Sequence, residues 1–180
     1  MSLIPKSLLA ASVVLSCAVT CQLEADVSLK VGSAAPALEV SRWVKGDGPS
    51  KFEQGKTYVV EFWATWCPPC RDSIPHLTEM AHNYKDKVTF VGVSVWERGS
   101  GKATEDKVDS FVREMGGKMD YFVARDTETG TMASNWLEAA GQDGIPCAFI
   151  VDGNGKIAWI GHPMDSMGKA IDGVLAAAKK

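Results

Sequence analysis

The chain has little net charge: 19 Lys and Arg stand against 22 Asp and Glu, a formal net charge of −3. It therefore lacks the basic excess that meets phosphates, and no nucleic-acid partner is expected. No apolar run reaches the ~18 residues of a spanning helix. There is no internal repeat and no low-complexity segment. Hydrophobic residues at 46% and charged residues at 23% exclude a disordered or collagen-like chain. Five cysteines in 180 residues are too few for a disulfide-stapled mini-fold. What remains is a length suited to one domain with an ordinary core.

The first 25 residues form a unit of their own. Lys6 precedes an apolar stretch from about Leu8 to Val19, and small residues follow. A short charged start, an apolar centre and a small-residue exit read as an export signal. Cleavage after Ala18 or after Ala25 would each leave a small residue at the cut. Val14-Leu15-Ser16-Cys17 loosely resembles a lipoprotein signal, which would anchor the chain through a lipid on Cys17. The expected mature domain, 26–180, then keeps Cys67, Cys70 and Cys147.

Along that domain, residues 37–44 read as a short strand and Gly46-Asp47-Gly48-Pro49 as a turn. Residues 57–63 (TYVVEFW) are almost continuously apolar, the pattern of a strand covered on both faces, with Glu61 as its one acid. Residues 68–84 carry Ile74, Leu77, Met80 and Ala81 at helical spacing, with Pro68 and Pro69 in a first turn that has no donors to lose. Pro75 should kink that helix. Residues 88–95 predict a second buried strand. Thr104 is expected to cap a helix over 105–115. A short strand over 121–124 and a helix over 131–140 follow. Residues 147–151 and 157–160 flank Asp152-Gly153-Asn154-Gly155, a hairpin signal. A closing helix over 167–178 should turn Ile171, Val174, Leu175 and Ala178 inward. This order predicts an α/β fold with a mixed central sheet and helices on both faces.

The chemistry concentrates at Trp66-Cys67-Pro68-Pro69-Cys70. A C-x-x-C pair is either half of a zinc site or a redox dithiol. Zinc needs two more ligands at suitable spacing. Cys147, His76, His82 and His162 are scattered singly, so no metal is expected; the histidines read as helix-face and loop residues. The redox reading suits the local pattern, because a buried strand there turns into a helix. Cys67 would sit at the helix start, where the positive end of the helix dipole favours a thiolate. Cys70, one turn in, would resolve the mixed disulfide that Cys67 forms. Pro68 and Pro69 donate no N–H to the Cys67 thiolate, so a moderate depression of its pKa is expected.

Residues 60–70 (VEFWATWCPPC) resemble the active-site segment of the thioredoxin superfamily. Val31-Gly32 with Ala35-Pro36, Val91-Gly92-Val93, and Gly144-Ile145-Pro146 before a final hairpin resemble more closely the exported TlpA/ResA-type thiol–disulfide oxidoreductases. The resemblance runs from about residue 30 to the end. It implies a thioredoxin-like three-layer fold with an N-terminal extension and a central insertion. It implies Cys67 as attacking and Cys70 as resolving cysteine, Trp66 as an aromatic shield, and Pro146 after Ile145 as the cis-proline that faces the dithiol and presents backbone to an extended substrate. It implies Glu61 as the buried acid that handles the proton of the resolving cysteine; from the residues alone, Glu61 also reads as an edge-strand carboxylate in water. No cofactor is implied. The implied partners are oxidised envelope proteins, apocytochrome c or a copper-site protein among them, and a membrane electron donor. Nothing resembles a long dimerisation helix, and a monomer is expected.

Three positions depart from the pattern. Gly92 falls at about the place of thioredoxin's lysine partner for the buried acid. Ser73 replaces a glutamate common in TlpA/ResA relatives. Cys147 replaces the threonine usual after the cis-proline, and reads either as an inert buried thiol or as a third redox thiol. Two rival functions stay open: a copper-binding module using Cys67, Cys70 and Cys147, and a thiol peroxidase, against which Ala64 stands where that chemistry places threonine. Glu97 is expected at the dithiol end of the sheet as a salt-linked surface acid.

Overall fold

A computed structural model describes residues 27–178. The export signal over 1–25, with Cys17 and Cys21, lies outside the described residues. Six strands form one mixed sheet in the order β1-β4-β3-β2-β5-β6: β1 Val40–Lys45, β2 Thr57–Trp63, β3 Val88–Ser94, β4 Phe122–Asp126, β5 Cys147–Val151 and β6 Ile157–Gly161. Every residue of β2 is buried, as its apolar run predicts. It pairs parallel with β3 and antiparallel with β5, so it lies at the centre of the sheet.

The crossovers β2–α1–β3 and β3–α2–β4 step across the sheet in the same direction. With a fixed crossover hand, both helices fall on one face. There α1 (Pro68–Asn83) and α2 (Gly101–Met115) pack Ile74, Val108, Phe111 and Val112 on Trp63 and Val123. Helix α3 (Met167–Ala177) joins the same face, with Met167 and Ile171 against Val59, Phe90 and Ile150. The opposite face carries Val60, Phe62, Val91, Val93 and Phe149, covered by Met132–Ala140 and by Leu29 and Leu38 of the N-terminal extension. Helical structure thus lies on both faces, and the fold is thioredoxin-like.

Several boundaries differ from expectation. Helix α2 begins at Gly101, and Thr104 is buried inside it rather than capping it. Gly99 and Gly101, both at positive φ, turn the chain early enough to add that first turn. The expected helix over 131–140 opens into a π-turn over Ala133–Leu137 and tightens into a 3₁₀ turn over Glu138–Ala140. Its start is held by the Asp126 carboxylate, which accepts from the Met132 and Ala133 N–H groups at 2.8 and 2.9 Å. The wide turn lets consecutive Trp136 and Leu137 both become fully buried. In α3, Val174 and Leu175 are only half-buried and Ala178 is exposed, because the helix buries only Met167 and Ile171, in its first half. The Asp152–Gly155 hairpin joins antiparallel β5 and β6.

Candidate active site

Strand β2 ends at Trp63, and the chain crosses to α1 through Ala64-Thr65-Trp66. Cys67 is the N-cap of α1 in extended conformation, and its Sγ accepts from the Cys70 N–H at 3.2 Å. Pro68 and Pro69 occupy the first two helical positions, where no backbone donor is lost. Cys70 supplies the one first-turn N–H that reaches Sγ. Cys67 and Cys70 form a disulfide, with Cα atoms 5.3 Å apart. Cys67 is nearly buried and Cys70 wholly so, while Pro68 and Pro69 are exposed. Ser73, also buried, donates its hydroxyl to the Cys70 carbonyl at 2.9 Å.

The loop before β5 meets the dithiol from the side. The Ile145–Pro146 bond is cis, and the Ile145 carbonyl oxygen lies 3.6 Å from Cys67 Sγ. Trp66 is half-buried beside it. Its indole N–H donates to the Trp96 carbonyl at 2.8 Å, and the Arg98 guanidinium lies 5.0 Å from its ring centre. Trp96 adopts φ +51°, a left-handed conformation costly for a bulky residue. That conformation turns its carbonyl toward Trp66.

Glu97 is salt-linked, as expected, with Lys107 Nζ at 3.9 Å, but it is not a surface acid: its side chain is only 7% exposed. Its carboxylate accepts from the Thr65 N–H and hydroxyl, both at 2.7 Å, and from the Ser94 hydroxyl at 2.9 Å. Arg71, one turn into α1, donates to the Thr65 carbonyl at 2.8 Å and lies over the Phe111 ring. Thr65 is thus held at both backbone polar groups, and the strand-to-helix loop is fixed just ahead of Cys67. The sequence position of Glu97 at the dithiol end of β3 was the available signal. Its inward direction comes from tertiary contacts.

Glu61 is 1% exposed, in the middle of β2. Trp63, two residues on, packs with Cys67 and Cys70, and Val59, two residues back, packs with Leu77. Alternation puts Glu61 between them on the face that α1 covers. Neither carboxyl oxygen has a hydrogen-bond partner among the described residues. Burial therefore lifts its pKa well above the ordinary carboxyl value. The reading of Glu61 as a solvated edge carboxylate does not hold.

Cys147 lies elsewhere. It sits opposite Phe62 in the β2–β5 pair and packs with Phe62 and Phe149, on the face away from Trp63 and the dithiol. Burial, with a smaller contribution from the Glu61 charge, pushes its thiol up to about 12. The structure brings Cys67, Cys70, Trp66, Ile145 and Pro146 together and leaves Cys147 across the sheet. Among the described residues, no three His, Cys, Asp or Glu side chains are grouped to hold a metal. His82 is exposed and pairs with Asp120 at 2.9 Å.

Residues 30–175 match the Redoxin family. The chain belongs to the Redoxin family. It is similar to Protein FixW of Rhizobium leguminosarum, 34% identical over 161 residues, covering 85% of this chain and 71% of that one. It is similar to the thiol:disulfide interchange protein HelX of Rhodobacter capsulatus, 32% identical, covering 81% and 77%. The thiol-disulfide oxidoreductase ResA of Geobacillus thermodenitrificans is 28% identical, with 72% and 68% covered. Among solved structures, the thioredoxin domain of a thiol-disulfide oxidoreductase from Bacteroides vulgatus superposes with a TM-score of 0.65 at 27% identity, covering 82% of this chain and 99% of that one. This Redoxin-family chain is accordingly a TlpA/ResA-like thiol–disulfide oxidoreductase, and its cysteine pair stands at disulfide distance.

Proposed function

We propose that the protein is an exported disulfide reductase that exchanges electrons with envelope proteins through Cys67 and Cys70. The observation that carries the reading is Cys67 Sγ at the cap of α1, 3.6 Å from the Ile145 carbonyl. A client chain extended along Ile145 and Pro146 would bring its own disulfide to that sulfur. Trp66 covers the other side and limits water access.

In the reduced protein, the Cys67 thiolate attacks one sulfur of the client disulfide. A Cys67–client bond forms, and the second client sulfur leaves as a thiolate and takes a proton. The Cys70 thiol then gives its proton to Glu61, and the freed sulfur attacks Cys67 Sγ. The first client sulfur leaves and is protonated in turn. The client gains two electrons and two protons, and the Cys67–Cys70 disulfide closes. A raised carboxyl pKa suits Glu61 to receive and return a proton near neutral pH. A membrane electron donor would restore the dithiol.

The apolar, small-residue pattern of residues 1–25 supports export, with Cys17 as a point for lipid attachment. Apocytochrome c, with its paired thiols, fits as a client, and a copper-site protein with an oxidised cysteine pair fits the same chemistry. The test is reduction of an oxidised peptide bearing Cys-x-x-Cys-His. The native protein should reduce it in one turnover, Cys70→Ser should stall as a covalent mixed disulfide, and Cys67→Ser should do neither. An adduct formed by Cys67→Ser, or none by Cys70→Ser, would overturn the assignment.

A further inference from the structure

Among the described residues, four buried side-chain polar atoms lack a hydrogen-bond partner: Glu61 Oε1 and Oε2, Trp63 Nε1 and Tyr121 Oη. They belong to one place. Glu61 stands beside Gly92 in the β2–β3 pair. A Cβ built on Gly92 would lie 2.9 Å from Tyr121 Cε2, and 3.3 Å from both Glu61 Oε2 and Trp63 Nε1. The three side chains therefore converge over one backbone position, and a side chain there would have to displace the Tyr121 ring.

The chemistry of the set is complementary. A carboxylate accepts only; an indole N–H donates only; a phenol donates or accepts. Buried polar groups left unmade are costly, and this many in one nest are not accidental packing. The Glu61 charge is felt by Tyr121, ahead of β4, and by Cys147 on β5, across the sheet; on the Glu61 face of β2, Trp63 packs with Cys70 of α1, while β3 contributes Gly92. No salt bridge to Glu61 occurs among the described residues. The phenol is pushed up by burial and, after that, by the Glu61 charge, so the two groups sense each other. Tyr121 is partly exposed as a residue and lines a groove of about 720 Å³ beside Lys45, Lys87 and Asp120, yet its hydroxyl is buried. Its ring stands between the buried acid and that groove.

We propose that Tyr121 is a positioning residue for Glu61. With Trp63, and across the gap that Gly92 leaves, it supplies the hydrogen-bond donors that hold the Glu61 carboxylate through one enclosed water. An uncharged donor pair thus stands where an ammonium would otherwise balance the acid. This rests on the reading of Glu61 as the proton acceptor of the exchange. When the Cys70 thiol passes its proton to Glu61, the donors release a neutral carboxyl. When Glu61 returns that proton, they receive the carboxylate again. The proton is conserved throughout, and no further reactant is needed.

The test reads the carboxyl itself. The full chain is labelled with ¹³C at the glutamate side-chain carboxyls, and Glu61 is followed by NMR against pH in the oxidised form. Removing a donor disfavours the charged state, so Tyr121→Phe should move the Glu61 midpoint upward by about half a unit to one unit. Gly92→Ala, which pushes the Tyr121 ring aside, should move it in the same direction. In the unmodified protein, the ¹³Cζ signal of Tyr121 should inflect at the Glu61 midpoint, a readout that needs no variant to fold. An unchanged midpoint in Tyr121→Phe, or a Tyr121 signal flat through the Glu61 titration, overturns the proposal. The pH profile of the Cys70 resolution step is measured alongside. If the carboxyl midpoint moves and that profile does not, the donor pair stands and the role of Glu61 in exchange fails.

Discussion

Replacing Glu61 by glutamine should make the protein's stability less sensitive to pH, and the size of the effect follows from burial. Glu61 is 1% exposed and has no partner for either oxygen. Its carboxyl is held neutral to a pH well above 4.5, its ordinary value. In the unfolded chain the same group ionises near that ordinary value. Between the two, the unfolded state has lost a proton that the folded state still carries. Folding stability must then fall as pH rises through that window, by about 1.4 kcal/mol per pH unit. Stability is highest below the unfolded value, and the loss is complete once pH passes the folded one. Glutamine has nearly the same shape and does not titrate. Glu61→Gln should therefore gain on the native protein by about 1.4 kcal/mol per pH unit within the window. For a chain of this size that is roughly 3–5 °C in Tm per unit. The assay is urea unfolding of both oxidised proteins from pH 4 to 8. Oxidation removes Cys67 and Cys70 from the titration, and other carboxylates cancel in the difference. Two curves that stay parallel across that range would show that Glu61 ionises alike in both states, and would refute the buried acid with its raised pKa.

Other expectations concern the loop and the Cys147 thiol. Glu97→Ala leaves the buried Thr65 N–H without its acceptor and should cost about 1–3 kcal/mol; thermal melts should show this, exchange should slow several-fold, and Glu97→Gln should recover part of both. Unchanged exchange in Glu97→Ala would mean that the loop holds its shape without the clamp. Cys147, with its thiol raised to about 12, should resist iodoacetamide at neutral pH in the folded protein and react on unfolding, as intact-mass measurement would show. Rapid labelling of the folded protein would count against its burial. If Cys147 takes no part in redox chemistry, oxidation mild or strong should give only the Cys67–Cys70 bond on peptide mapping.

The parts of the fold that could be read from the residues are those set by local pattern. The uninterrupted apolar run of β2, the C-x-x-C pair behind it, the prolines in the first turn of α1 and the Asp-Gly-Asn-Gly hairpin each carry their own physical signal. The parts that escaped are set by contacts distant in sequence. The π-turn over Ala133–Leu137 follows from the need to bury Trp136 and Leu137 together and from Asp126 on β4. The inward turn of Glu97 follows from Thr65, a residue 32 positions away. Tyr121 gave no signal at all, since its relation to Glu61 exists only once β2, β3 and β4 lie side by side. At Gly92 the residues alone show a lysine missing from the thioredoxin pattern, and the structure supplies the other half: the space is taken by the three side chains that converge there.

The proposed reducing couple of Cys67 and Cys70 is tested by its reduction potential. Equilibration in glutathione and dithiothreitol buffers, read by tryptophan fluorescence, reports the couple through Trp63 and Trp66, which pack with the dithiol. With one N–H reaching Cys67 Sγ and two prolines donating none, the potential should lie nearer thioredoxin's about −270 mV than the strong oxidant's about −120 mV. A value below about −230 mV is expected. A value above about −150 mV would make the protein an oxidant or isomerase and would contradict the reducing couple.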